Sequence, residues 1–255
     1  MVNIVGAGPG AVDLITVRGQ RLLREADIII YAGSLVNPEL LKEAKEDCEI
    51  YNSASMTLEE VLDVMREGEK NGKMTVRLHT GDPSVYGAIR EQMDVLEEEG
   101  IEYQVTPGVS SFCGAAAAVR KEYTLPDVSQ SVIITRRAGR TPVPESESIK
   151  SFAAHKATMV IFLSTGMAKE VSEELIEGGY SPDTKAAVVY KASWPEEKVV
   201  YGTVGTLDIM TKENNITKTA LLLIGDFLGD EYEKSLLYDR AFTHEFRKGI
   251  ERQEK

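Results

Sequence analysis

Cysteine, histidine and long apolar runs are scarce in this 255-residue sequence. Its two cysteines, Cys48 and Cys113, are too few for a disulfide framework or a zinc knuckle. The three histidines, His79, His155 and His244, are scattered without metal-ligand spacing, so we expect no metal centre. The sequence contains no run of eighteen apolar residues, which excludes a membrane-spanning helix.

Positively charged side chains are also fewer than negatively charged ones. The chain has 29 Lys and Arg against 41 Asp and Glu, a formal net charge of -12. Nucleic acid or an anionic membrane would be repelled at long range, so we expect neither as a partner. Residues 1–5 resemble a strand and lack the basic region and apolar stretch of a signal peptide, which favours a cytoplasmic protein.

Strand and helix patterns alternate over the first 120 residues. Apolar runs typical of strands lie at 2–5, 28–31, 73–79 and 104–105. Helices are predicted at 16–26, at 57–69, from the turn at Gly81-Asp82-Pro83 to Glu99, and at 115–120. This alternation predicts an α/β fold with a parallel sheet covered by helices.

A second series of strands follows residues 121–130, which contain Pro126 and resemble a linker. These strands are predicted near 131–135, 158–163, 186–190, 197–201 and 219–224. Residues 191–198 resemble a connection between neighbouring antiparallel strands, so the second sheet is predicted to be mixed. We therefore expect an N-terminal domain at 1–120, a C-terminal domain at 121–245 and a charged tail at 246–255, with a terminal helix after residue 230.

A glycine-rich loop, VGAGPGA, follows the first predicted strand. Gly6, Gly8 and Ala11 match the spacing of a dinucleotide-binding turn. No carboxylate ends the second strand at Tyr31, however, and Pro9 removes one N–H group from the loop. The pattern therefore disfavours a dinucleotide site and leaves two readings open, a plain tight turn or a loop that lines a ligand site.

Three further loops also come directly after predicted strands, where open α/β sheets bind ligands. HTGDPSVYG at 79–87 could contact a ligand or form an ordinary turn, and TPGVSSF at 106–112 could hold a polar ligand or simply cap a helix. TRRAGRTPVPE at 135–145 contains Arg136, Arg137 and Arg140, the densest basic cluster in an acidic chain. Arginine binds carboxylates in bidentate fashion, although a solvated basic loop is the simpler explanation.

Taken together, these motifs resemble the tetrapyrrole (corrin/porphyrin) methylase family. The order GAGPG…DLIT, TGDPSVYG, TPGVSSF and TALLLIG carries the resemblance, which covers about residues 1–245. It implies two α/β domains with a cleft between them, a homodimer, and S-adenosylmethionine held folded in that cleft. Within the family, YAGSLV and TRRAGRTPVPE resemble the branch that methylates C11 of precorrin-4 or its cobalt complex, and the Lys- and Glu-rich composition favours the cobalt form.

The resemblance also implies a set of site residues. Carried over by motif, the methyl-donor contacts fall on Pro9, Thr80, Gly81, Asp82, Val85, Tyr86, Ser110, Ser111, Leu163, Ala192, Thr219 and Ala220. LSTGM departs from the family's shorter methionine-containing loop, so Met167 could replace Leu163. The carboxylates of the tetrapyrrole are expected to contact Arg136, Arg137, Arg140 and Ser34. Arg120 and Lys121 are further candidates. Asp82 and His79 are the candidates for a general base.

Other functions stay open at this point. Uroporphyrinogen III C-methyltransferase and the diphthine-forming enzyme belong to the same family, and the arginine-rich loop argues against both. A nucleotide-dependent dehydrogenase lacks support because no acidic residue follows Tyr31. A non-catalytic ligand-binding protein on the same scaffold is compatible with all of these motifs.

Overall fold

The computed structural model describes residues 1–250, and the chain forms two compact units. The first unit comprises Met1–Ala118 and Tyr190–Lys198. The second comprises Val119–Val189 and the chain from Val199 onward. No helix within the described residues combines the length and apolar composition needed to cross a membrane.

The first unit contains a parallel sheet, as predicted. Its strands are β1 (Val2–Gly6), β2 (Ile28–Tyr31), β3 (Glu49–Asn52), β4 (Thr75–His79) and β5 (Tyr103–Thr106). They lie in the order β3-β2-β4-β1-β5, and all four pairings are parallel. Parallel strands end at the same edge of a sheet, and β4, β1 and β5 are neighbours. The loops that follow these three strands therefore lie side by side.

Helices α1 (Val17–Glu25), α2 (Leu58–Lys70), α3 (Arg90–Glu98) and α4 (Ser111–Val119) connect these strands. Thr16 caps α1 by accepting a hydrogen bond from Gly19 N, and a reciprocal capping box joins Thr57 and Glu60 at the start of α2. These two helices correspond to those predicted at 16–26 and 57–69.

Successive residues of each strand pack on opposite faces of this sheet. On β1, Val5 belongs to a buried cluster with Leu22 and Leu23 of α1, whereas Ile4 belongs to a cluster with Leu62 of α2 and Leu96 of α3. The alternation has the period of two that a strand imposes. The sheet is therefore buried on both faces, as parallel sheets usually are.

The second unit contains a mixed sheet, again as predicted. Its strands are β6 (Val132–Arg136), β7 (Thr158–Phe162), β8 (Lys185–Tyr190), β9 (Lys198–Thr203) and β10 (Ala220–Ile224), in the order β6-β7-β10-β8-β9. Strand β6 is parallel to β7, whereas β10 is antiparallel to it. Helices α5 (Ile149–Ala153), α6 (Ala168–Glu177) and α7 (Leu207–Glu213) belong to the same unit.

Three local predictions differ from the structure. Strand β3 was not predicted, and α3 begins at Arg90 because Tyr86 and Ala88 have positive φ angles of 57° and 50°, which a helix does not accept. The expected terminal helix is absent from 230–250, which contains only a short 3-10 helix at Leu236–Tyr238. There Arg247 donates to carbonyls that a helix would pair internally, including those of Leu237 and Asp239. The last part of the expected tail, 251–255, lies outside the described residues.

Candidate functional site

The loops after β1 and β4 are joined by backbone hydrogen bonds. Gly8 N donates to Gly81 O at 3.2 Å, and Gly81 N donates back to Gly8 O at 2.8 Å. Ala7 N donates to His79 O at 2.7 Å. Two motifs more than 70 positions apart in the sequence, GAGPG and HTGDP, therefore form one structure at the carboxyl edge of the first sheet.

Glycines let a third loop, the one after β5, pack against the same structure. A Cβ atom on Gly6 would lie 2.6 Å from the backbone of Gly108, and one on Gly108 would lie 2.1 Å from the carbonyl oxygen of Gly81. Both distances are shorter than any real contact, so only glycine allows these backbones to approach. Close packing of the three loops therefore explains Gly6 and Gly108, and a positive φ of 59° explains Gly81.

Asp82 links two of these loops through its carboxylate. Its Oδ2 accepts a hydrogen bond from Gly108 N at 2.8 Å, and its Oδ1 accepts from the backbone N–H and the hydroxyl of Ser84. Burial alone would raise the pKa of Asp82, but the hydrogen bonds from Ser84 and Gly108 outweigh it and the pKa is lowered. Both oxygens already hold the loops together, which favours a positioning task over proton transfer.

His79, the other candidate base, is the last residue of β4 and is 4% exposed. Burial, with a smaller contribution from the charge of Arg77, lowers the pKa of its imidazole to about 3. Its Nε2 has no hydrogen-bond partner within residues 1–250. The ring is therefore neutral at physiological pH and is a weak proton acceptor.

The start of α4 lies beside Gly81. Ser110 is buried and its carbonyl accepts from Cys113 N and Gly114 N, while Ser111 is the first residue of the helix. A Cβ atom on Gly81 would lie 3.3 Å from Ser111 N, so the glycine leaves room at the first N–H groups of α4. These groups have no partners within the helix itself.

Residues 190–198 cover the glycine-rich loop of the first unit. Trp194 Nε1 donates to Pro9 O at 3.0 Å, and Ala11 N donates to Ser193 Oγ at 3.0 Å. A Cβ atom on Gly10 would lie 2.0 Å from Cδ1 of Trp194, so the indole lies directly on this glycine. The structure therefore places the single tryptophan over the GAGPG loop.

Ala192 lies in the same segment and next to Pro9. A Cβ atom on Gly114 would lie 2.9 Å from Pro9 Cβ and 3.5 Å from Ala192 Cβ. The structure therefore groups Ala192 with the first unit, whereas the sequence assigned it to the second domain. It brings this residue together with Pro9 and with α4, which carries Ser111.

The second unit brings its own three donor candidates to one edge of the mixed sheet. Leu163 follows β7 and Thr219 precedes the antiparallel β10, and both have positive φ angles, 52° and 57°. Thr165 Oγ1 donates to Ala220 O at 3.0 Å and so ties the two segments together. Leu163 is 65% exposed, which is unusual for a leucine held in a strained backbone conformation.

The three arginines of the TRRAGRTPVPE loop have different environments. Arg136 donates to the carbonyls of Thr141 and Pro142 and so curls the loop on itself. Arg137 donates to Glu174 Oε1 at 2.7 Å, and its backbone N–H donates to Ser164 Oγ. Arg140 is exposed and has no ion pair among the described residues. It is the arginine most available to an anionic ligand.

The remaining candidates for contact with the substrate are Ser34, Lys121 and Arg120. Ser34 lies in a short 3-10 helix, Gly33–Leu35, that follows β2. Lys121 donates to Asp230 and to the carbonyl of Gly229, so its ammonium group already has partners. Arg120 is exposed at a positive φ of 54°. Within residues 1–250, no group of three or more His, Cys, Asp or Glu side chains could hold a metal ion.

Comparisons with known proteins agree on one family. The family model described as Tetrapyrrole (Corrin/Porphyrin) Methylases matches residues 1–208. The cobalt-precorrin-4 C(11)-methyltransferase of Methanocaldococcus jannaschii is 54% identical over 97% of this chain and 96% of its own length.

Solved structures give the same result. That of a cobalamin biosynthetic enzyme, cobalt precorrin-4 methyltransferase, matches with a TM-score of 0.88 and 49% identity over 89% of this chain and 95% of that one. The uroporphyrin-III C-methyl transferase of Thermus thermophilus, solved with S-adenosyl homocysteine, matches with a TM-score of 0.74 and 25% identity over 91% of this chain and 95% of that one.

Proposed function

We propose that this chain, which belongs to the tetrapyrrole (corrin/porphyrin) methylase family, transfers a methyl group from S-adenosylmethionine to C11 of a precorrin-4 macrocycle in cobalamin biosynthesis. The observation that carries the proposal is 54% identity, over 97% of the chain, to a cobalt-precorrin-4 C(11)-methyltransferase. The products would be S-adenosylhomocysteine and precorrin-5, or cobalt-precorrin-5A from the cobalt substrate. We favour the cobalt form because the solved structure with a TM-score of 0.88 also carries that name.

The first unit contains groups that fit the methyl donor. His79 Nε2 and Thr106 Oγ1 are buried without partners within residues 1–250, and both residues end strands at the edge that carries the three loops. The start of α4 adds N–H groups beside Gly81. Buried polar atoms are normally paired, so these unpaired groups support a polar ligand or bound water at this edge.

The proposed donor contacts are those that the resemblance to the family implies, and that geometry supports the ones beside Gly81. In the first unit they are Pro9, Thr80, Gly81, Asp82, Val85, Tyr86, Ser110, Ser111 and Ala192; in the second unit they are Leu163, Thr219 and Ala220. S-adenosylmethionine, when bound, supplies an electrophilic methyl group on a sulfonium.

The sulfonium loses its positive charge during methyl transfer. A nearby unpaired carboxylate would therefore stabilise the ground state more than the transition state. Asp82 fits this requirement because both of its oxygens already accept hydrogen bonds from the protein. The loops then contribute mainly by aligning the methyl group with the ring carbon, an effect that can lower a barrier by several kcal/mol.

Arginine side chains are the proposed contacts for the acetate and propionate groups of the macrocycle. Arg140 is exposed and unpaired among the described residues, whereas Arg136 and Arg137 support the loop that carries it. In a chain with a net charge of -12, a polyanionic substrate needs such a local cation to overcome long-range repulsion. Ser34 is a further proposed substrate contact.

Calorimetry and turnover together test the proposal. We expect purified protein to bind S-adenosylhomocysteine and then to convert cobalt-precorrin-4, or precorrin-4 without cobalt, to a product one methyl group heavier with the methyl on C11. Comparing the two acceptors decides the metal state of the substrate. Donor binding with no product from either acceptor would rule the function out.

The same assays separate the alternatives. Methylation of uroporphyrinogen III or of the diphthine precursor protein would identify another family member, and binding of NADH without S-adenosylhomocysteine would indicate a dehydrogenase. A homodimer and a cytoplasmic location are also part of the proposal, by resemblance to the family. Light scattering of the purified protein tests the first, and fractionation of the producing cells tests the second.

A further inference from the structure

Strand β4 carries an arginine in the middle of an otherwise apolar environment. Arg77 is 7% exposed and is aligned with Ile4 on one neighbouring strand and Ile30 on the other. Both isoleucines belong to the buried cluster beneath α2 and α3. No carboxylate pairs with this guanidinium within the described residues, and burial lowers its pKa to about 10.

The partners of Arg77 are neutral oxygens. Its Nη1 donates to the carbonyl of Ile30 at 3.1 Å, and its Nε donates to Gln92 Oε1 at 3.2 Å. Gln92 is 4% exposed and lies on the inward face of α3 beside Leu96. Replacing a buried polar pair by apolar side chains of similar size is often neutral or stabilising, so such a pair is weak evidence for a stabilising role.

The other end of the Gln92 amide points to the loop between β4 and α3. Gln92 Nε2 donates to the carbonyl of Ala88 at 2.9 Å. Helix α3 has no side-chain cap at Ile89, and this hydrogen bond ties the carbonyl of the loop to the first turn of the helix. Arg77, Gln92 and Ala88 thus form one continuous chain of hydrogen bonds from strand to loop.

The loop that this chain of hydrogen bonds anchors has a strained backbone. Tyr86 and Ala88 both have positive φ angles, a conformation that non-glycine residues keep only where the surrounding structure enforces it. Asp82 holds the first part of the loop through Ser84 and Gly108, and Gln92 holds the last part. The residues between these two anchors include Val85 and Tyr86.

We propose that Arg77 and Gln92 are positioning residues for the methyl donor: the buried Arg77–Gln92–Ala88 hydrogen-bond chain holds the strained loop 85–88 so that Val85 and Tyr86 meet the donor. The inference rests on the proposed function, since Val85 and Tyr86 are donor contacts only if the chain uses S-adenosylmethionine. Neither Arg77 nor Gln92 is expected to touch the donor or the tetrapyrrole.

Replacing Gln92 by glutamate removes one of the two hydrogen bonds of this side chain and keeps the other. In Gln92→Glu the carboxylate still accepts from Arg77, but it has no N–H group to donate to Ala88. We expect the KM for S-adenosylmethionine and the Kd for S-adenosylhomocysteine to rise about three- to tenfold, the range for one lost hydrogen bond. The KM for the tetrapyrrole is expected to stay at the parent value.

The matched control is Gln104→Glu. Gln104 is an exposed residue of β5 in the same sheet and its amide donates to Asn3, so this variant loses an amide donor away from the loop. Its donor KM should equal that of the parent. If Gln92→Glu fails to fold, the double variant Arg77→Met with Gln92→Met removes both polar partners and should give the same rise in donor KM.

Hydrogen exchange of the ligand-free protein tests the anchor independently of activity. We expect faster exchange at the amides of 84–89 in Gln92→Glu, but not in Gln104→Glu. Unchanged exchange, or faster exchange with an unchanged donor KM, would overturn the inference. A parent protein that binds no S-adenosylhomocysteine would overturn the proposed function instead, and the exchange comparison would still decide whether the hydrogen-bond chain holds the loop.

Discussion

The Asp82 carboxylate accepts a hydrogen bond from the backbone N–H of Gly108, which joins the loop after β4 to the loop after β5. The same carboxylate accepts from Ser84 within its own loop. One side chain therefore fixes two of the three loops that carry the proposed donor contacts. Because its partners are N–H and O–H donors, this function requires the ionised form.

Replacing Asp82 by asparagine should weaken both this connection and donor binding. Asparagine keeps one acceptor oxygen and loses the other, so we expect a loss of about 1.5–3 kcal/mol in the free energy of unfolding, the range of a hydrogen bond to a charged group. Urea denaturation measures that loss, and calorimetry with S-adenosylhomocysteine measures the weaker binding. Wild-type affinity in the variant would show that the carboxylate does not organise the donor loops.

The lowered pKa of Asp82 also sets the direction of a pH effect. A carboxylate whose pKa is depressed by folding contributes stability above its unfolded pKa, near 3.8, and loses it as the pH falls through the folded value. We therefore expect the difference in unfolding free energy between the parent and Asp82→Asn to be constant from pH 5 to 8 and to shrink below pH 4. A difference that grows on acidification would contradict this account.

The single tryptophan gives an optical signal from the glycine-rich loop. Trp194 donates to Pro9 O and its ring occupies the space that a Cβ atom on Gly10 would need. We expect Gly10→Ala to displace the indole, to shift its fluorescence emission to the red, and to destabilise the protein by about 1–3 kcal/mol, as overpacking does. In the parent, S-adenosylhomocysteine should change the same emission, because Pro9 is a proposed donor contact.

Trp194→Phe is the companion variant for stability. It keeps an aromatic ring over Gly10 but removes the N–H donor, so we expect a loss of about 1 kcal/mol. Emission of Gly10→Ala identical to that of the parent would show that the indole does not lie on Gly10 in solution.

Arg140 and Arg137 should respond differently to truncation. We expect Arg140→Ala to weaken tetrapyrrole binding by about 1–3 kcal/mol, as for a charge-assisted hydrogen bond, with no change in unfolding free energy or in donor affinity. Arg137→Ala removes the partner of the half-buried Glu174, so it should also lower the thermal midpoint. Substrate titrations and thermal unfolding of both variants distinguish the two roles.

A control separates the local contact from the overall charge. Arg18→Ala on α1 removes the same charge from an exposed position, and we expect it to leave the KM for the tetrapyrrole unchanged. If Arg18→Ala and Arg140→Ala raised this KM equally, net charge rather than the arginine loop would govern substrate binding.

Much of the fold was predictable because local signals coincide with it. Thr16 and the Thr57–Glu60 capping box mark the starts of α1 and α2, and the short apolar runs of β7 and β10 are typical of buried strands. Strand β3 was missed because three of its four residues are exposed, so Glu49–Asn52 lacks the apolar alternation of a half-buried strand. The loop 84–89 was taken for helix because positive φ angles at Tyr86 and Ala88 leave no mark in the sequence.

The sequence predicts which loops form the candidate site, but not the contacts between distant residues that hold these loops together. Parallel strands end at one edge, so motifs after β1, β4 and β5 had to lie together. The contact between Trp194 and Pro9 joins residues 185 positions apart, which no local pattern reveals. Arg77 did offer a signal, since a charged residue inside the strand TVRLH needs a buried polar partner, but the sequence does not say that the partner is Gln92.

His79 gives a pH prediction that separates structure from catalysis. Its pKa is about 3 in the folded protein, far below the ordinary 6.5. Between these two pH values the imidazole is protonated in the unfolded chain and neutral in the folded protein. Stability from this residue is therefore complete above pH 6.5 and is lost as the pH falls towards 3. Between pH 7.5 and 5 the loss should be roughly 2 kcal/mol.

His79→Leu removes the titrating group and tests this assignment. We expect the unfolding free energy of the variant, measured by urea denaturation, to fall less steeply between pH 7.5 and 5 than that of the parent. A neutral imidazole over this whole range also predicts no His79 limb in the pH dependence of kcat between pH 5 and 8. An acid limb near pH 6.5 that disappears in His79→Leu would show instead that the imidazole titrates normally, and would restore it as the candidate general base.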